Sequence, residues 1–193
     1  MKNSIKISVA TLAFASVFTF SGKAQESEPL KTTTPSTFRL SIGPDVVLPI
    51  GQFSDRYKWG VGGSLQAEYP ILSEKLFVTL NAGYLNFFKN DEYTGINKSD
   101  LSLVPVKAGL KYFPVKNFYL QGEAGASFLT NKGDVGATKS TTFIYAPQVG
   151  YQFPVGEKNY IDAGVRFEGN TKFYDDGKSN NFFGLRVAYS FGL

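Results

Sequence analysis

Between Phe38 and Leu193 apolar and polar residues alternate with a period of two, which belongs to strands and not to helices. The last segment shows it best. Phe183, Leu185, Val187, Tyr189, Phe191 and Leu193 share one face, and Gly184, Arg186, Ala188, Ser190 and Gly192 the other. The first sets Phe38, Leu40, Ile42, Val46 and Leu48 against Arg39, Ser41, Gly43 and Asp45. Apolar rows recur at Trp59, Val61, Leu65, Ala67 and Tyr69, then at Leu76, Val78, Leu80, Ala82 and Tyr84, where Phe77 and Leu85 break the rule. Val104 to Tyr112, Phe118 to Phe128, Phe143 to Phe153 and Ile161 to Phe167 complete eight predicted strands.

The connections alternate in length. Pro70 to Lys75, Phe113 to Asn117 and Pro154 to Asn159 are short, whereas Asn86 to Asp100, Leu129 to Thr141 and Gly169 to Asn181 are long. The first connection, Ile50 to Lys58, is intermediate. Short turns on one side, long loops on the other and an even strand count describe a bacterial outer-membrane barrel. The short turns open alike, with Tyr69-Pro70, Phe113-Pro114 and Phe153-Pro154, and each carries a lysine: Lys75, Lys116, Lys158. Proline cannot donate to a ladder and marks where pairing ends. Aromatics at that level suit an interfacial girdle.

The polar row decides which face is inside. It carries Arg39, Glu68, Lys107, Lys111, Glu123, Asp162, Arg166, Glu168 and Arg186, with glycines between them. A soluble lipocalin-type barrel would turn its apolar row inward. Nine charges opposed by an aromatic and aliphatic row instead predict a polar lumen and a lipid-facing exterior. The fold expectation is therefore all-β: a closed, eight-stranded, antiparallel up-and-down transmembrane β-barrel over 37–193. A soluble periplasmic ligand-binding barrel is the fallback. Closure satisfies every backbone group in lipid and leaves no edge.

Composition narrows the chemistry. Aromatics make up 16% of the chain, glycine occurs 20 times, and there is neither cysteine nor histidine. Missing both removes the usual zinc and transition-metal ligands and the commonest general base. No metal, cofactor or catalytic residue is assigned. The pairs Asp91-Glu92 and Asp175-Asp176 fall in predicted loops, and Gly60-Val61-Gly62-Gly63 lies within a strand with no helix after it, so it is no phosphate loop.

The N-terminus has the order of a secretory signal peptide: basic Lys2 and Lys6, an apolar run from Ile7 to Phe20, then Gly22-Lys23-Ala24. The run is too short to span a bilayer, for which about 20 apolar residues are needed. Cleavage after Ala24 is expected (1–24), followed by a flexible periplasmic tail (25–36). Lysine and arginine outnumber aspartate and glutamate by 20 to 16. Losing Lys2, Lys6 and Lys23 leaves 17 against 16, so the basic balance is no nucleic-acid signal.

Leu48-Pro49-Ile50-Gly51-Gln52-Phe53-Ser54, Gly60 through Pro70, Ala82-Gly83-Tyr84 and the ending Tyr189-Ser190-Phe191 resemble the porin-like outer-membrane β-barrel family, in the style of small OmpA- and OmpX-type barrels. The resemblance covers about Phe38 to Leu193. It implies residence in the bacterial outer membrane, contact with its lipid and lipopolysaccharide, and recognition of the last strand by the barrel-assembly machinery. Gly192 and Leu193 follow Phe191, a departure from an aromatic ending.

Within the lumen Arg39 and Glu68, Lys107 and Glu123, and Arg186 and Glu168 are expected at similar depths. A paired network that plugs the barrel follows, since buried charges need partners. The functional expectation is a structural or surface-interaction protein without enzymatic activity, with the long loops offering a place for an extracellular ligand. A narrow channel for ions or small solutes is the alternative.

Overall fold

The computed structural model describes residues 38–72, 75–91, 99–135, 139–171 and 179–193. The expected leader and tail, 1–36, lie outside them. Eight strands follow one another: β1 (Arg39–Ile50), β2 (Tyr57–Leu72), β3 (Leu76–Lys89), β4 (Leu101–Val115), β5 (Phe118–Leu129), β6 (Thr141–Pro154), β7 (Asn159–Asn170) and β8 (Asn180–Gly192). Each pairs antiparallel with its sequence neighbours, and β8 returns to β1 to close the barrel. The closing seam runs from Arg39 opposite Gly192 to Ile50 opposite Asn181. No helix among the described residues is long and apolar enough to cross a membrane, which says nothing of strands.

The faces divide as the alternation requires. Lys107 and Arg186 are each 1% exposed and Glu123 5%, while Leu120 is 44% and Val187 42% exposed. The barrel is therefore inverted, with its apolar wall outside and its charges within. Exposed aromatics gather toward both rims of that wall. Tyr69, Tyr112, Tyr151 and Phe153 lie toward the short turns, and Trp59, Tyr84, Phe128 and Phe143 toward the long loops. Between them lie Ile42, Leu65, Leu80, Val165 and Leu185. An apolar band between two aromatic girdles fits a bilayer with two interfaces.

Phe113 corrects the reading of the three short turns as equivalent. It is buried, packing against Phe77 and Tyr119 inside the mouth, and Tyr112 takes the outer position. Strand parity is the reason: Lys111 points inward, so Phe113 must as well. Pro70 and Pro114 sit at register shifts, between Pro70 and Leu72 and between Tyr112 and Val115, where regular pairing ends. The β4–β5 connection then needs only Lys116 and Asn117, with Asn117 in the left-handed region (φ 69°) that asparagine tolerates.

Pro44, Pro105 and Pro147 sit in mid-strand, away from the strand ends. All three pair on one side, with Gly63, Ser127 and Gly122. On the other side the ladder skips two residues while keeping its register: between Ile42 and Asp45, Leu103 and Val106, and Tyr145 and Gln148. Each proline lacks an N–H for one ladder, and the lapse is confined to that ladder.

Two short helices close the long-loop end: α1 (Gln52–Arg56) and α2 (Lys132–Val135). Neither was expected from the pattern. At Gly51 the chain turns with φ 62°, and α1 then drops Phe53 into the barrel against Tyr57 and Phe87, ring centroids 5.1 Å away in both cases. The intermediate β1–β2 connection is thus a stopper and not a plain loop.

Candidate functional site

The lumen is layered. At the short-turn mouth lies the aromatic group Phe77, Phe113 and Tyr119. At the long-loop end Val47, Phe53, Tyr57, Leu85, Phe87, Leu101, Leu103, Leu129, Val135 and Phe182 form an apolar plug. Phe77 and Leu85, which break the alternation in sequence, are therefore inward residues of the two caps. A purely polar lumen was the expectation; the structure restricts charge to the middle, where closing the ends with apolar side chains keeps water from it.

Eight of the nine expected lumen charges are buried in that middle layer: Glu68, Lys107, Lys111, Glu123, Asp162, Arg166, Glu168 and Arg186. Arg39 is half-buried at the short-turn mouth. Asp45, on the same row but not among the nine, is buried as well. Five carboxylates thus face four buried cations, with Arg39 as the fifth.

Pairing runs across the lumen more than along the ladders. Lys111 Nζ lies 2.7 Å from Glu68 Oε1 on β2 and 2.7 Å from Asp162 Oδ2 on β7. Lys107 lies 2.7 Å from Glu168 and 3.6 Å from Glu123. Arg166 joins Asp45 at 2.8 Å and also contacts Glu168. Arg186 donates to Ser64 (2.8 Å) and Ser41 (3.0 Å), with Asp162 at 3.9 Å. Of the three expected couples, only Lys107 and Glu123 form an ion pair. Arg39 and Glu68 do sit opposite each other in register, but Lys111 takes Glu68, and Arg39 donates to Gln152 (3.2 Å). Arg186 lies opposite Gly164 and not at the level of Glu168, which sits opposite Phe182.

Neutral polar groups join the charges. Tyr119 donates to Asp162 (2.7 Å) and accepts from Gln148 (2.6 Å). Gln152 donates to Asp162 (2.8 Å), Ser64 to Asp45 (2.7 Å) and Thr79 to Glu123 (3.1 Å). Gln66 donates to Glu68 (2.8 Å) and accepts from Asn81 (3.1 Å). Sequence reading missed the part played by Tyr119, although its parity between outward Phe118 and Leu120 marks it as inward. Among the described residues no group of three or more aspartates and glutamates could hold a metal ion.

Two glycines make room for that tyrosine. A Cβ on Gly150 would lie 2.3 Å from the Tyr119 ring, and one on Gly164 would lie 2.5 Å from its hydroxyl and from the Gln148 amide nitrogen. Gly164→Ala is expected to cost about 1–3 kcal/mol, the usual range for overpacking. Urea unfolding in lipid checks it, and an unchanged midpoint would contradict the contact.

Comparison with known proteins places this architecture. The family described as "Outer membrane protein beta-barrel domain" matches residues 10–191. The chain is similar to the outer membrane protein AlkL in lipid bilayers, at 16% identity over 88% of this chain and 97% of that one, with a TM-score of 0.55. It is similar to Ail of Yersinia pestis in a phospholipid nanodisc (18%, 82% and 99%, TM-score 0.53). OprG of Pseudomonas aeruginosa shares the fold too (14%, 82% and 96%, TM-score 0.51). Among curated proteins none matches. A closed eight-stranded barrel with an apolar wall and a charged lumen, matched along nearly its whole length, belongs to the outer-membrane β-barrel family, and the chain is an integral protein of the bacterial outer membrane.

Proposed function

We propose that the chain is a plugged, non-catalytic barrel that serves the envelope as a structural element or a surface-interaction scaffold. The observation that carries this reading is the filled lumen. A compensated layer of charge is sealed by an aromatic cap at one end and an apolar plug with α1 at the other. An eight-stranded barrel has room inside only for side chains, and here they are bonded to each other. The long loops then remain as the variable surface on a rigid scaffold, with outer-membrane lipid and lipopolysaccharide against the apolar wall and an extracellular ligand at the loops as partners. Cleavage of the leader after Ala24 and delivery by the barrel-assembly machinery complete the reading.

Planar-bilayer conductance tests it. The reconstituted protein is expected to give no steady pore. A steady conductance that changes in Glu123→Ala would establish the narrow-channel alternative and overturn the plug.

A further inference from the structure

The short-turn mouth, periplasmic in outer-membrane barrels, holds a cleft of about 490 Å³. Arg39, Lys75, Lys116, Asn117, Gln152 and Tyr160 line it, and 113–115 at the end of β4 supply its apolar part. The volume falls within the roughly 300–1,000 Å³ of small-ligand sites. Three cations line this space, and none of its lining residues is a carboxylate.

That balance is unlike the rest of the lumen. Each buried cation of the middle layer has a carboxylate within 4 Å. Among the described residues Arg39, Lys75 and Lys116 form no ion pair. Arg39 is also held in place. It donates to Gln152 Oε1, and its guanidinium carbon lies 4.6 Å from the Phe77 ring centroid and 5.1 Å from that of Tyr160. Gln152 is itself fixed, because its amide nitrogen donates to Asp162. A guanidinium carries five donors in a rigid fork suited to oxyanions, and one described hydrogen bond leaves most of that fork for a ligand.

We propose that this mouth binds a phosphate-class oxyanion, with Arg39 as the positioned fork and Lys75 and Lys116 supplying the remaining charge. Either a phosphate free in the periplasm or the headgroup of an inner-leaflet phospholipid carries that chemistry. The competing explanation is that Arg39 only balances the fifth lumen carboxylate, in which case nothing binds.

The full barrel in maltoside micelles, which carry no phosphate, is titrated with inorganic phosphate at constant ionic strength, with chloride as the counter-titration. A second arm adds phosphatidylglycerol to the micelles and omits phosphate. The readout is the NMR shift of the Arg39 side-chain N–H and the Asn117 amide. A saturable shift in one arm supports the site and names the source. The double variant Lys75→Gln/Lys116→Gln, altered only at two exposed residues in short turns, is expected to weaken binding by about tenfold or more. Absence of a saturable shift in both arms overturns the proposal. So does an equal response to chloride, or unchanged affinity in the double variant.

Discussion

Asp162→Leu should lower the stability of the reconstituted barrel by about 3–5 kcal/mol, the range for removing one partner of a buried ion pair. Among the described residues Asp162 accepts more hydrogen bonds than any other lumen carboxylate. Lys111, Tyr119 and Gln152 all reach it within 2.8 Å. Arg186 has no other described carboxylate within 4 Å, so the substitution leaves its guanidinium on two serine hydroxyls alone. Lys111 keeps Glu68, which limits the damage on that side. Leucine keeps the branched skeleton and is larger than aspartate, so a large effect does not report a cavity. The measurement is the urea midpoint of the heat-modifiable gel shift. A shift no larger than that of an exposed loop substitution would show that the network is not what holds the middle layer together.

The opposite wall carries the second large effect. Leu185 lies midway along β8, opposite Val46 on β1 and Val165 on β7, and is 50% exposed. Leu185→Arg should cost about 2–4 kcal/mol, as for a cation near the bilayer midplane, and the same change near a rim at Tyr69 about 0–1 kcal/mol. Such depth dependence has no counterpart in a soluble barrel, where arginine on an exposed wall is tolerated. Equal, small effects at both positions would contradict a lipid-facing surface.

What sequence revealed and what it hid divide along a physical line. Strand parity has a period of two, so one register assigns every side chain to a face. That places Lys107, Glu123, Asp162 and Arg186 inward and Leu120 and Val187 outward from the sequence alone, as their burial shows. Cross-lumen partners depend instead on tilt and shear, which no single strand encodes. Hence Lys111 meets Glu68 and Asp162 from strands that are not its neighbours, while Arg39, opposite Glu68 in the ladder, turns to Gln152. The caps were hidden for another reason. Apolar residues at Phe77 and Leu85 look like defects in an alternating row until both ends of the lumen are known to be closed with them. Parity did contain both omitted residues: Asp45 shares the polar row of Arg39, and Tyr119 lies between Phe118 and Leu120. Nothing in the alternation announces α1, because its five residues depend on the turn at Gly51 and on the cavity that receives Phe53.

The native chain has no cysteine, so single cysteines at Leu185 and at exposed Ser54 on α1 can be spin-labelled in lipid without background. Inversion of the barrel requires the Leu185 label to collide with oxygen dissolved in the bilayer and to escape a water-soluble nickel complex, with the reverse at Ser54. A Leu185 label that is freely reached by the nickel complex in intact bilayers would contradict it.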